Sequence, residues 1–247
     1  MVPGYTGSKE DFLPLLRPLA AAGLAVVAID QRGQYQSQWA AAPDGYALAA
    51  LGDEVCQLAM ELASPGIDLH LLGHSFGGLV SRAALLAGPE LFTDLVLMGS
   101  GPAGIGGQRR QLLDSGEAIL AEQGMAGLWD HLQARVRADP HYVRPAPALQ
   151  AFLRERFLAT DPIGLQIMGQ TLRDEADRTP ALAALGKQIL VLHGVDDDAW
   201  PPVIQADMAT RLGASRAVIE RAVHSPAVEN PADTARALIE FWQRPQA

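Results

Sequence analysis

The sequence predicts an α/β fold in which a mostly parallel β-sheet is flanked by helices, with a helical segment inserted between two strands. Three observations support this: short apolar runs typical of buried strands, helical patterns between them, and one long stretch where the alternation stops. The chain has 247 residues, of which 49% are hydrophobic and 6% aromatic. These values suit one α/β domain with an insertion, or two small domains, and favour helices packed on a sheet over a β-sandwich.

Five short runs are candidate strands. Residues 24–29, 69–72, 95–98 and 189–192 are almost continuously apolar, and residues 217–219 form a weaker candidate. Runs of this kind are expected where helices cover both faces of a parallel sheet. We therefore expect these segments to be buried on both sides.

Helical patterns lie between the candidate strands. Apolar residues recur at helical spacing over residues 12–22, 46–63, 77–86, 202–212 and 231–242. The last helix has the clearest start, because Asn230 suits an N-cap and Pro231 suits the first turn.

The stretch from 102 to 185 breaks the alternation of strands and helices. It follows a glycine-rich hinge and shows helical patterns over residues 108–123, 127–138, 148–159 and 161–175. We expect a helical cap here, so that residues 1–101 and 186–247 form the core domain and residues 102–185 the cap. Trp129, Phe152, Phe157, Ile167 and Met168 would either pack inside this cap or line a substrate pocket.

Charge and cysteine content exclude several classes of protein. The formal net charge of −9 makes nucleic acid an unfavourable partner. Cys56 is the single cysteine, which rules out an intramolecular disulfide and argues against a zinc–thiolate cluster. No apolar stretch is long enough to span a membrane, and the first residues do not resemble a signal peptide, so we expect a cytoplasmic protein.

The strongest chemical signal is the segment Gly73-His74-Ser75-Phe76-Gly77. It follows an apolar strand and precedes a helix, which is the context in which a G-x-S-x-G sequence forms a sharp turn that exposes the serine. The amide of Phe76 would then lie at a helix N-terminus, where it can bind an oxyanion. We predict that Ser75 is a nucleophile.

A serine nucleophile needs a base and an acid that orients the base. Two further loops after predicted strands supply candidates. One carries Asp196, Asp197 and Asp198, and the other carries His224 before the last helix. The order Ser, Asp, His suits this kind of fold, and loops at the carboxyl ends of parallel strands can converge.

The other histidines have less specific interpretations. His74 is expected to pack or hydrogen-bond locally, and His193 to be structural beside the acid loop. His131 and His141 fall in the predicted cap, where a surface position is the default and substrate contact the alternative. The spacing of the His, Asp and Glu residues does not suggest a metal site.

These residues resemble the α/β-hydrolase family, in its cap-bearing branch of esterases, enol-lactonases and cofactor-free haloperoxidase-like enzymes. Five segments match in the expected order, and together they cover nearly the whole chain: 2–8, 30–37, 73–78, 194–201 and 224–231. The resemblance implies no cofactor and no metal. It implies that Asp197 is the acid, from its spacing to Gly194 and Pro201, and that the amides of Tyr5 and Phe76 form the oxyanion hole.

The match departs from the family pattern in three places. Pro3 stands where the family usually has histidine, and Tyr35 stands where the 30–37 turn usually has its second glycine. Within that turn we expect Asp30 and Arg32 to pair. Only Met1 and Val2 precede Pro3, whereas family members usually begin with two or three strands, so we expect an N-terminal truncation and a poorly anchored Tyr5 loop.

The expected function is hydrolysis of a small or medium apolar carboxylic ester or lactone through an acyl-enzyme on Ser75. Two alternatives stay open. An acyltransferase, a carbon–carbon bond hydrolase or a perhydrolase would use the same three side chains. A non-catalytic ligand-binding relative, or an inactive truncated one, would keep the fold without turnover. The expected partner is a small acyl substrate.

Overall fold

A computed structural model describes residues 1–138 and 144–243. Within these residues a parallel sheet has the order β1-β2-β3-β4. Its strands are β1 (His70–His74), β2 (Asp94–Met98), β3 (Gln188–Gly194) and β4 (Ser215–Ile219). The predicted runs 69–72, 95–98 and 189–192 lie in the strands β1 to β3, and the weaker candidate at 217–219 lies in β4. The sheet is therefore the α/β architecture that the sequence predicts.

The helices follow the predicted order closely. They are α1 (Leu13–Ala21), α2 (Leu48–Leu62), α3 (Phe76–Ala87), α4 (Gly107–Arg137), α5 (Pro147–Ala159), α6 (Pro162–Asp174), α7 (Thr179–Ala183), α8 (Pro202–Leu212), α9 (Pro226–Glu229) and α10 (Pro231–Trp242). The Asn230 side chain accepts a bond from the amide of Asp233, as expected of the predicted N-cap. None of the helices in the described part of the chain is long and apolar enough to cross a membrane.

Two apolar layers enclose the sheet because side chains on a strand alternate between its faces. On β2, Leu95 and Leu97 pack with α2, α3 and α8, whereas Val96 and Met98 pack with α1 and α10. All five residues of β2 are buried. This two-sided burial rigidly fixes the carboxyl ends of β1, β2 and β3, where the predicted reactive loops begin.

The prediction of a buried strand at residues 24–29 is wrong. This segment has no regular secondary structure, and Ala25 and Val27 face solvent. Its neighbour in the sheet is the two-residue strip Met1–Val2, to which Val27 and Ile29 are joined by only two hydrogen bonds. A strand needs a longer partner to form a ladder, so the run stays extended at the edge of the sheet.

The Met1–Val2 strip is itself paired with β1. The amide of Val2 donates to Leu72 at 2.8 Å, and the carbonyl of Val2 accepts from His74 at 2.9 Å. The strip therefore leads directly from the sheet into the loop that carries Tyr5. The expected N-terminal truncation remains a prediction.

Helices α4, α5 and α6 lie between β2 and β3, in the segment predicted to be a cap. Helix α4 is bent at Gly124, whose backbone is not helical, and this point lies between the two helices predicted there. Helix α7 also falls within residues 102–185, yet it packs against α3 and α8. His141, which the sequence places in the predicted cap, lies outside the described residues.

The expected pairing of Asp30 with Arg32 is wrong. Asp30 accepts from both the amide and the Nζ of Lys9, at 2.8 and 2.6 Å, while Arg32 pairs with Glu54 on α2. The two side chains fasten the 30–37 turn to two different neighbours. Tyr35 in this turn has a φ of 39°, the left-handed conformation that glycine adopts easily and tyrosine rarely.

Candidate active site

Ser75 occupies the sharp turn between β1 and α3. Its φ of 54° and ψ of −119° are unfavourable for a residue with a side chain, as the motif predicts. The amide of Ser75 donates to Met98 at the end of β2, at 2.9 Å. A Cβ added to Gly77 would lie 2.3 Å from the carbonyl oxygen of Val2, so only glycine fits there. The turn is thus strained, and its neighbours hold it in place.

The three predicted side chains meet at the carboxyl edge of the sheet. His224 Nε2 lies 2.9 Å from Ser75 Oγ, and His224 Nδ1 lies 3.1 Å from Asp197 Oδ1. Because a carboxylate only accepts, Nδ1 carries the proton and Nε2 is free to accept from the serine hydroxyl. The geometry is that of a nucleophile, a base and an orienting acid.

Among the three consecutive aspartates, only Asp197 reaches His224. Its side chain is fully buried, whereas that of Asp198 is half exposed and pairs with Arg109 of α4 at 2.7 Å. This placement agrees with the spacing argument that favoured Asp197.

The Asp197 carboxylate is held in its ionised form by several donors. Burial by itself raises the pKa of this group, but hydrogen bonds from His224, Ala199 and Gln205 outweigh burial and lower it. The Gln205 Nε2 donates to Asp197 Oδ2 at 2.9 Å, and the amide of Ala199 donates to Oδ1 at 2.9 Å. The acid therefore stays negative and oriented at neutral pH.

His74 contacts His224, the predicted base, directly. Its Nε2 donates to the backbone carbonyl of His224 at 2.8 Å, and the two rings are 5.1 Å apart. Burial, together with the neighbouring His224, lowers the pKa of His74 to about 4, so this ring is neutral at physiological pH. His74 thus packs and hydrogen-bonds beside the nucleophile turn, as expected, although its partner lies 150 residues away in the sequence.

Gly99, directly after β2, lets the loop of Asp197 and the loop of His224 approach each other. A Cβ at this residue would lie 2.9 Å from the His224 carbonyl oxygen and 3.3 Å from Asp197 Oδ2, and its φ of 56° is left-handed. A side chain here would push apart the two loops that carry His224 and Asp197.

The two predicted oxyanion donors belong to two segments that adjoin Ser75. Phe76 is the first residue of α3, so its amide has no acceptor within the helix. Tyr5 lies in the loop 3–5, where a Cβ added to Gly4 would be 3.3 Å from Ser75 Cβ. The Tyr5 hydroxyl donates to Leu165 of α6 at 2.8 Å, and burial raises the pKa of this phenol.

The expectation of a poorly anchored Tyr5 loop is wrong. Two buried glutamines, Gln31 and Gln34, donate to the carbonyls of this loop. Sequence reasoning missed both of them, and it missed Gln205 as well. Glutamine is usually an exposed residue, so a glutamine within a polar turn carries no sequence signal of burial.

A cavity of about 970 Å³ extends from Ser75 and His224 into the layer formed by α4, α5 and α6. Its apolar wall includes Leu113, Leu120, Leu128, Leu132, Phe152, Leu153, Phe157 and Leu165. Of the aromatic and apolar cap residues singled out in the sequence, Phe152 and Phe157 line the cavity, whereas Trp129 and Met168 pack elsewhere in the interior. His131 is not among the residues that line it.

The charged side chains that line the cavity already have partners within the protein. The pairs are Arg156 with Asp11 at 2.5 Å, Arg173 with Glu117 at 2.7 Å, Arg109 with Asp198 at 2.7 Å and Glu10 with Lys9 at 3.2 Å. Glu229 accepts from the amides of Val223 and Ser225. In residues 1–138 and 144–243, no group of three or more His, Cys, Asp or Glu side chains could hold a metal ion.

Comparison with solved structures shows the same fold. An esterase from Thermogutta terrifontis superposes with a TM-score of 0.77 at 22% identity, covering 98% of this chain and 88% of the other. The enol-lactonase from Burkholderia xenovorans LB400 superposes with a TM-score of 0.78 at 21% identity, covering 98% and 90%.

Sequence comparison leads to the same group of proteins. A putative carbamate hydrolase, RutD, of Pantoea ananatis is 28% identical, over 99% of this chain and 87% of that protein. The model of the alpha/beta hydrolase family matches residues 1–237. The chain therefore belongs to the alpha/beta hydrolase family and is a hydrolase-type enzyme.

Proposed function

We propose that this enzyme hydrolyses neutral, apolar carboxylic esters or lactones through an acyl-enzyme on Ser75. One observation carries the proposal: the Ser75 hydroxyl lies 2.9 Å from His224 Nε2, at the base of a largely apolar cavity. The proposal includes the division into a core (1–101 and 186–247) that performs the reaction and a cap (102–185) that binds the acyl group.

The reaction follows from the position of each group. His224 Nε2 takes the proton of Ser75 as Oγ attacks the acyl carbonyl carbon, and Asp197 stabilises the imidazolium. The amides of Phe76 and Tyr5 bind the oxyanion of the tetrahedral intermediate. Collapse expels the alcohol, which receives the proton from His224. Water then attacks the acyl-enzyme, with His224 again as base, and releases the carboxylic acid and free Ser75.

The lining of the cavity supports an uncharged substrate. Each charged side chain that faces the cavity already has a partner, so a carboxylate or ammonium on the substrate would have to break an ion pair. The leucines and phenylalanines of the wall favour an alkyl or aryl acyl group. A carbamate, the substrate class in the name of the relative from Pantoea ananatis, could be attacked by the same serine, but its second polar group gains little from this wall.

The first test is covalent labelling with a fluorophosphonate probe. We expect wild type to be labelled and Ser75→Ala to stay unlabelled, because the probe needs an activated serine. Absence of labelling in a wild-type protein shown to be folded by its thermal melt would contradict the proposal.

The second test is a series of p-nitrophenyl esters from acetate to octanoate. Each methylene transferred from water into the cavity contributes about 0.8 kcal/mol, so kcat/KM should rise up to about fourfold per methylene. A flat or falling series, or a preference for p-nitrophenyl carbamates, would contradict the apolar acyl assignment. Added methanol separates hydrolysis from acyl transfer, since an acyltransferase would yield mainly the methyl ester.

A further inference from the structure

We infer that Gln34, supported by Gln31, is a positioning residue that aims the Tyr5 amide at the substrate oxyanion. The inference rests on the proposed function and deepens it. It assigns a role in the reaction to two side chains of the 30–37 turn, which hold the oxyanion loop from behind.

Gln34 is completely buried and uses both ends of its side-chain amide. Its Nε2 donates to the carbonyl of Gly4 at 2.7 Å and to that of Tyr5 at 3.2 Å, and its Oε1 accepts from the amide of Gln31 at 3.2 Å. Carbonyls only accept and amides only donate, so these contacts define which way the side chain faces.

Gln31 binds the same loop one residue earlier, at Pro3. Its Nε2 donates to the carbonyl of Pro3 at 2.8 Å, and only 3% of the residue is exposed. Three consecutive carbonyls, those of Pro3, Gly4 and Tyr5, are therefore bound by two side chains from one turn. Fixing three successive peptides from one side leaves the loop little freedom to rotate.

Because the peptide bond is planar, holding the Gly4 carbonyl also fixes the direction of the Tyr5 N–H. No peptide bond in the described chain is cis, so the Gly4 carbonyl and the Tyr5 N–H point in opposite directions across one plane. Gln34 holds the carbonyl, and the N–H must therefore point away from the glutamines. Gly4, Tyr5 and Ser75 line the cavity, whereas Gln31 and Gln34 are not among its lining residues, so the N–H points to the cavity side.

The other oxyanion donor needs no such support. The amide of Phe76 is oriented by the first turn of α3, which continues β1 through the Ser75 turn. The amide of Tyr5 lies in a turn that is closed by a hydrogen bond from the Gly7 amide to the Gly4 carbonyl at 3.1 Å, and none of the described residues accepts a hydrogen bond from it. The glutamine side chains hold this turn from the side opposite the cavity and, together with the turn, set the direction of the amide.

The test is the substitution Gln34→Met, which keeps the length of the side chain and removes its donor and acceptor. The matched control is Gln36→Met, at an exposed position two residues further along the same turn. Both proteins and wild type would be compared for thermal melting, for hydrolysis of p-nitrophenyl butyrate and for the rate of fluorophosphonate labelling, because the phosphonyl oxygen occupies the same hole.

We expect Gln34→Met to lower kcat and the labelling rate by about 10²-fold, since a misplaced oxyanion donor loses most of its effect. KM should change by less than about threefold, because Gln34 does not line the cavity and the apolar wall is unchanged. The pH profile should keep its midpoint, because the contact between His224 and Asp197 is untouched. A purely structural role would lower the melting temperature and leave kcat intact.

A folded Gln34→Met variant with wild-type kcat would overturn the inference. If that variant does not fold, Gln31→Met decides: it removes only the bond to Pro3, and we expect about a tenfold loss of kcat. An unchanged kcat in Gln31→Met would then overturn it. Wild type that is neither labelled nor active contradicts the proposed function itself, a result distinct from selective loss in the variants.

Discussion

The loops at the edge of the sheet and the helical layer above them are held in place by different means. Ser75 and Phe76 are positioned by the backbone of β1, β2 and α3, with the amide of Ser75 bonded to Met98. The layer of α4 to α6 is fastened to the core by side chains: Met168 and Leu172 of α6 belong to one of the two apolar layers, and Arg156 pairs with Asp11 and Tyr46 with Asp161. The position of the proposed nucleophile therefore depends on the backbone of the fold, while the placement of the helices around the cavity depends on individual side chains.

The bend in α4 is part of the helical layer around the cavity. At Gly124 the backbone has a φ of 66° and a ψ of −169°, so the helix changes direction between its two halves. Leu113 and Leu120 lie before the bend, and Leu128 and Leu132 lie after it, yet all four face the same cavity. Both halves of α4 thus contribute to the wall of the cavity.

We expect the largest loss of activity from a substitution at the edge of the sheet. The substitution Asp197→Asn keeps the shape of the side chain but removes the charge that orients and stabilises His224. We expect kcat to fall by about 10⁴-fold with little change in KM, measured on p-nitrophenyl butyrate.

The neighbouring Asp198→Asn variant is the matched control. Its carboxylate is half exposed and bound to Arg109, so we expect activity within about twofold of wild type, the usual result for an exposed ion pair. Similar losses in both variants would contradict the assignment of Asp197 as the acid.

The next effect concerns stability and His74. Its folded pKa of about 4 lies below the ordinary value of 6.5, so as the pH falls the unfolded chain takes up this proton first. This ring therefore destabilises the fold progressively between pH 6.5 and about 4, by at most about 3 kcal/mol, and has no such effect above that range. In His74→Gln the side chain does not titrate and can still donate to the His224 carbonyl.

Urea unfolding at several pH values between 7 and 4 measures this difference. We expect the free energy of unfolding of wild type to fall more steeply with acidification than that of His74→Gln. Parallel curves for the two proteins would show that His74 is not held neutral by the fold.

The smallest effect lies on the cap side. Leu120→Gln places an amide in the apolar wall without touching Ser75, His224 or Asp197. We expect the ratio of kcat/KM for octanoate over acetate esters to fall by about tenfold, because the acyl chain then meets a polar group that must lose water. Activity on acetate should stay near that of wild type, and an equal loss on both esters would break the separation between core and cap.

Much of the core could be predicted because local chemistry decides its elements. Helix α8 ends before Gly213, which adopts the left-handed φ of 62° typical of a helix C-terminus, and α10 begins at the predicted Asn230 cap. The Ser75 turn was likewise visible from the glycines around it. In these places the contacts that decide the structure are made between residues close together in the sequence.

The errors arose where a distant partner decides the structure. Residues 24–29 have the composition of a buried strand, but the two-residue strip beside them cannot form a ladder. The roles of Gln31, Gln34 and Gln205 depend on burial beside segments far away in the sequence, which composition does not record. His74 was recognised as a neighbour of the nucleophile, but its bond to His224 required the fold.

Gly77 also constrains how this protein can change over generations. With the Val2 carbonyl oxygen only 2.3 Å from where a Cβ would be, a single substitution there would displace the sheet edge and the serine together. Cap residues such as Leu113 or Leu153 sit on helices and can be exchanged one at a time while the backbone stays in place. Mutations can thus change the wall of the cavity in small steps, while the turn that carries Ser75 is constrained by its close packing.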